Sequence, residues 1–122
     1  MMPTLLLAAL ALQTMPAPTL DRWEGTGSDA IGESAIDPQS ISRTGDVVTV
    51  IVRTRIHRSE STGGAILGVM RYTYNCRTDR VRMLAADVYD ANGRFAGTAE
   101  AGPEEQIRPD SPNQRTRDRV CR

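Results

Sequence analysis

Three stretches of this chain predict a mainly β fold of the α+β kind, a twisted antiparallel sheet of about five to six strands with one C-terminal helix. The first is Met70–Cys76, where Met70, Tyr72, Tyr74 and Cys76 alternate with Arg71, Thr73 and Asn75 in the period of a half-buried strand. The second is Val47 to His57, dense in the β-branched residues that suit a pleated surface. The third is Ser111-Pro112-Asn113-Gln114, which has the form of a helix start. Cys76 and Cys121 are the two cysteines, and a bond between them would tie that helix to the central strand.

From Met1 to about residue 17 the chain carries an apolar run, Leu5 to Leu12, followed by small residues and prolines. The run is too short to span a bilayer, which needs about 20 residues, and suits the apolar region of an export signal. The cut could fall after Ala11, near Thr14 or at Ala17. Residues 21–122 then form a single domain of roughly 100 residues with no transmembrane span, large enough for one modest core. Export also decides how the cysteines read, because two of them in an oxidising compartment pair readily. Closing so long a loop would stabilise the fold by roughly 4 kcal/mol in the chain-entropy treatment.

Trp23, the lone tryptophan, opens the domain. Gly32–Ile36 reads as a short strand, ended where Asp37-Pro38 removes a ladder donor. Arg43–Asp46 marks a turn into Val47–His57. On that strand Val48, Val50, Val52, Thr54 and Ile56 share one face, while Ile51, Arg53, Arg55 and His57 share the other. Ser59–Gly64 forms the loop into the central strand. A hairpin centred near Thr62 would set Val52 against Tyr72, Val50 against Tyr74, and Arg53 against Arg71, a like-charge pair. Thr78-Asp79 turns the chain into a strand from Arg80 to Asp90. Asn92-Gly93 predicts a type I′ hairpin, and Phe95–Ala101 returns as the last strand. Ser111 caps the helix, with Gln114 placed to complete a capping box. Only Val120 and Cys121 are apolar in this helix, so the disulfide is its expected anchor.

Chemistry is sparse. His57 is the sole histidine, which removes a two-histidine metal site or relay. The serines have no nucleophile motif around them, and Gly63-Gly64 lacks the Lys-Ser/Thr of a phosphate loop. The reading is of a protein that is not an enzyme and holds no cofactor or metal. A net charge of zero argues against a nucleic-acid binder held by phosphate contacts. All fifteen basic residues are arginine. Arg53, Arg55 and Arg71, sharing a face with Arg58 beside them, form the candidate ligand site. Their planar forks suit carboxylates, sulfates or phosphates, so the partner would be polyanionic or an acidic protein patch. The opposing reading is a surface network in which Asp87, Asp90 or Glu60 neutralises them.

Trp23, then Asp37-Pro38-Gln39-Ser40-Ile41-Ser42-Arg43-Thr44-Gly45, a long β run, Tyr74-Asn75-Cys76 with Arg82 and Tyr89, Pro109-Asp110-Ser111 and Val120-Cys121 follow one another along the chain. In this order they resemble the surface-adhesin protein E-like family of small exported bacterial proteins, over essentially the whole mature chain. The chain departs from the family pattern at Ala35 and at Glu104 and Glu105, where aromatics are expected. The resemblance implies a twisted antiparallel sheet with its C-terminal helix tied through the two cysteines. It also implies attachment to host or envelope components from a periplasmic, secreted or outer-surface location. Trp23, Asp37, Ser40, Ile41, Tyr72, Tyr74, Asn92, Gly93 and Ser111 are expected to be structural. A homodimer is compatible with the sequence. The alternatives are a periplasmic carrier with a cleft beside Met70, Tyr72 and Tyr74, or a small exported enzyme.

Overall fold

Three long strands form the middle of the sheet, each free of proline over ten or more residues: β4 (Val47–Ile56), β5 (Ala65–Asn75) and β6 (Arg80–Asp90). The computed structural model describes residues 22–57 and 65–122. Shorter strands flank these three: β1 (Glu24–Ser28), β2 (Gly32–Ile36), β3 (Ser42–Thr44), β7 (Phe95–Ala99) and β8 (Glu105–Gln106). The antiparallel order is β1-β2-β4-β5-β6-β7, with β3 also on β4 and β8 also on β6. The expected strands are therefore present. β3 and β8 add short pieces that continue the edges where β2 and β7 stop.

The hairpin register differs by one pleat from the expectation. Val52 lies opposite Met70, Val50 opposite Tyr72 and Val48 opposite Tyr74. A shift of two residues keeps every side chain on its expected face, but Arg53 now faces Val69 and Arg71 faces Ile51. The direct Arg53–Arg71 pair is thus relaxed to a diagonal. The Ser59–Gly64 loop and Arg58 lie outside the described residues.

One face of the sheet carries the core. Val48, Val50 and Val52 of β4 meet Ile36, Tyr74, Val81, Ile107 and Val120 there, all buried. Helix α1 (Pro112–Val120) lies on this side. Ser111 caps it as expected, its Oγ accepting from Gln114 N at 3.1 Å, with Pro112 in the first turn. The capping box is not completed. Gln114 Nε2 donates instead to Asp118 Oδ1 at 2.9 Å, one turn along.

The disulfide Cys76–Cys121 is formed, with the two Cα atoms 5.7 Å apart. It is not the helix's sole anchor. Tyr74 Oη donates to Asn113 Oδ1 at 2.9 Å, and Thr116 and Val120 are buried. Arg117 pairs with Asp79 at 2.7 Å and donates to the Cys76 carbonyl at 2.9 Å. Arg119 grips the carboxylate of Glu24 on β1, and Arg115 lies 3.8 Å from Asp29. Arg115, Arg117 and Arg119 thus join the helix to both the first strand and the β5–β6 turn.

The Asn92-Gly93 turn also differs. Gly93 has φ +77°, whereas Asn92 is not among the described residues with positive φ, so the turn is not type I′. Gly93 N donates to Asp90 O at 3.0 Å, and Asp90 N donates to Arg94 O at 2.9 Å. That is a type I turn followed by a left-handed glycine, the usual three-residue hairpin loop. Asp90's carboxylate is consumed in it, accepting from Asn92 N and Arg94 N at 2.9 and 3.0 Å.

Candidate functional site

With α1 on one face of the sheet, the other face is where a partner can reach regular structure. Pairing sets its side chains in rows. Glu33, Arg55, Leu67, Tyr89 and Phe95 form one row across the strands; Ala35, Arg53, Val69, Asp87 and Thr98 form the next. Ile51, Arg71 and Ala85 form a third. Arg53, Arg55 and Arg71 thus share this face, as the alternation in the sequence required.

Their surroundings differ. The Arg53 guanidinium lies over the Trp23 ring, 5.2 Å from its centroid, a cation–π contact worth about 0.5–1 kcal/mol where water has access. Burial, and secondarily the charge of Arg55, pull the Arg53 guanidinium below its ordinary value, with Glu33 opposing. Arg55 approaches Glu33 at 3.8 Å. Arg71 is exposed. Beneath the arginines Ala35, Ile51 and Val69 are buried, the pattern of long basic side chains laid over apolar surface. Trp23, Gly25, Ser28, Glu33, Ala35 and Arg53 line a shallow groove of about 320 Å³ at the β1–β2 margin. At the opposite margin Tyr89 and Phe95 stand edge to face, with ring centroids 6.0 Å apart and Phe95 59% exposed.

Among the described residues the carboxylate beside these arginines is Glu33, which the sequence reading did not include. Asp90 serves its own turn and Glu60 lies outside the described residues. Asp87, beside Val69, bridges no arginine among the described residues. Glu33 takes that role for Arg55, because β2 pairs directly with β4. Gly32–Ile36 reads as a strand from its own residues, but no local signal names a strand's non-sequential neighbour.

The residues expected to be structural are placed as follows. Asp37 is 1% exposed and caps the 3₁₀ turn Pro38–Ser40, its Oδ1 accepting from Gln39 N at 3.0 Å and its Oδ2 from Arg22 Nη2 at 2.6 Å. Ser40 Oγ donates to the Asp37 carbonyl at 2.7 Å and accepts from Ile51 N at 2.8 Å. Ile41 closes the turn and packs on the core. Tyr74 is fully buried, and burial pushes its phenol far above the ordinary value. Tyr72 is half-buried, its ring centroid 5.9 Å from that of Tyr74.

His57 is exposed just past the end of β4. No group of three or more metal-ligating side chains occurs among the described residues. No helix among the described residues is long and apolar enough to cross a membrane.

The family model for surface-adhesin protein E matches residues 23–122. No curated protein matches the chain. Among the solved structures that share the fold are two of protein E. Crystal form II of Haemophilus influenzae protein E superposes with a TM-score of 0.63 at 15% identity, covering 88% of this chain and 93% of that one. Protein E from non-typeable Haemophilus influenzae gives 0.53 at 15% identity, covering 88% of this chain and 80% of that one. Identity at this level shows a common fold and nothing finer.

Proposed function

The chain belongs to the surface-adhesin protein E family, and from that membership we propose that it is an exported envelope protein that attaches to acidic host or envelope components through the face of its sheet opposite α1. Its role is that of a surface adhesin-like binding protein, and the observation that carries this is the family match over residues 23–122. Neither a carrier nor an enzyme draws support from the comparisons.

The binding face is supported by its chemistry. Arg53, Arg55 and Arg71 lie between Trp23 on one side and Tyr89 with Phe95 on the other. Trp, Tyr and Arg are the residue types that dominate binding energy at protein interfaces. Arginine forks take carboxylate and sulfate groups in pairs. The polyanion reading gives the probe: at low salt, where screening is weakest, heparin should retain the oxidised protein. Arg53→Ala combined with Arg71→Ala should abolish retention and lower stability by only about 1 kcal/mol, the lost Trp23 contact. Absence of retention of the unmodified protein at low salt would reduce these arginines to surface charge.

A further inference from the structure

The sheet face that carries α1 is only partly covered by it. Beyond the core, towards the Ile56 end of β4, an open trough of about 420 Å³ is lined by Thr54, Ile56, Leu67, Gly68, Met70, Tyr72 and Val88. Its size falls within the roughly 300–1,000 Å³ typical of small-molecule sites, and its walls are apolar with few polar groups, as such sites are. No lining residue carries a charge. The polar side chains are the Thr54 and Tyr72 hydroxyls. Burial, with Glu105 adding to it, pushes the Tyr72 phenol above its ordinary value, so it remains a neutral hydroxyl.

Gly68 makes the trough. It lies on β5 between Thr54 of β4 and Val88 of β6 in one cross-strand row, so the middle strand of three presents no side chain where its neighbours do. A Cβ at Gly68 would come within 2.8 Å of Met70 Sδ. The thioether already lies beside the gap. An unbranched, polarizable side chain of this kind can yield to a guest.

We propose that this trough binds one unbranched aliphatic chain, such as the acyl or alkyl chain of a single-chain lipid, with its polar end directed to solvent. The uncharged walls disfavour burial of an ionic group. The shape favours a chain over a rigid ring system. The lining runs along β5 from Tyr72 past the flexible Met70 to Gly68, about 13 Å at about 3.3 Å per residue, roughly the length of ten methylenes. A flexible chain can follow the twist of such a floor. Apart from Leu67, which pairs with Arg55 in a row of the other face, the lining lies opposite the arginines, and the site does not depend on them.

Methyl and amide NMR of the full oxidised protein, titrated with monomeric 1-decanol and separately with decanoate, tests the assignment. Both should give saturable shifts centred on Thr54, Gly68, Met70 and Val88, and decanol should bind at least as well as decanoate. Gly68→Val should weaken binding by at least about tenfold, because the branched side chain takes the apolar surface the ligand would cover. Gly68→Ala, which displaces only the Met70 sulfur, should weaken it less and guards against a folding defect in the larger variant. Arg53→Ala should leave both titrations unchanged. The proposal is overturned by shifts that do not saturate or that gather on the arginine face. It is equally overturned by undiminished binding to folded Gly68→Val, or by a response to phosphatidylcholine vesicles alone.

Discussion

At the scale of single residues the Asp37–Ser40 segment does the least visible work. β2 leaves β4 after the Ile36–Val52 pair, and β3 joins it only at Thr49. Between them the backbone of Ile51, a buried core residue, has no strand partner on that side. Asp37 N donates to the Ile51 carbonyl at 3.0 Å, and Ser40 Oγ accepts from Ile51 N at 2.8 Å. The 3₁₀ turn therefore substitutes for two ladder bonds, and Pro38, which cannot donate, sits where no donor is needed. Ser40→Ala should leave Ile51 N unpaired and lower stability by about 1–3 kcal/mol, read as a drop in the urea midpoint with an unchanged slope. A midpoint within error of the parent's would mean water replaces the hydroxyl at no cost. The sequence showed Asp37-Pro38 as a strand end. It could not show the serine's task, because the group it serves is eleven residues away on another strand.

At the scale of elements, the buried Thr116 and Val120 and the Tyr74–Asn113 hydrogen bond seat the helix, and two further means hold it. One is covalent, and the other is a set of arginine contacts reaching β1 and the β5–β6 turn. Only the first was legible, since a cysteine near the chain end is conspicuous while Arg115, Arg117 and Arg119 look like any exposed helix face. Faces were legible throughout because period-two alternation survives an error of two residues. The register itself was not, since it depends on the loop. The two anchors respond differently to pH. Its hydrogen bond from Arg119, aided by the charges of Arg119 and Arg122, holds Glu24 below the ordinary carboxylate range despite some opposing desolvation. A carboxylate depressed in the folded state stabilises it fully above its unfolded value, and that contribution is lost as pH falls through the folded value. In the Cys121→Ser variant the Glu24 contribution should be present at neutral pH and lost in acid, so protection of the helix should fall as the pH is lowered, while the Tyr74–Asn113 hydrogen bond and the buried Thr116 and Val120 still hold it to the sheet. The oxidised parent should hold the helix through the same titration. Amide exchange of residues 113–120 measures this, and equal protection in both proteins across the acid range would show that the arginine contacts do not respond as argued.

At the scale of the whole molecule the compartment and the fold depend on each other. A domain of this size has about 5–15 kcal/mol of net stability, and a disulfide closing a loop of 45 residues supplies about 4 kcal/mol of it in the chain-entropy treatment. Reducing conditions would remove a large share of that stability, so the fold calls for an oxidising compartment. The apolar stretch Leu5–Leu12 in front of the domain has the composition of a signal for reaching one. The two observations come from separate parts of the chain and point the same way. Fractionated cells should hold the protein outside the cytoplasm, with an N-terminus between Leu12 and Thr19 and no free thiol after denaturation. A full-length chain in the cytosol with two free thiols would break both halves at once. A shortened chain outside the cytoplasm with both thiols free would keep export and remove the staple, leaving the arginine contacts, the Tyr74–Asn113 hydrogen bond and the buried Thr116 and Val120 to hold the helix.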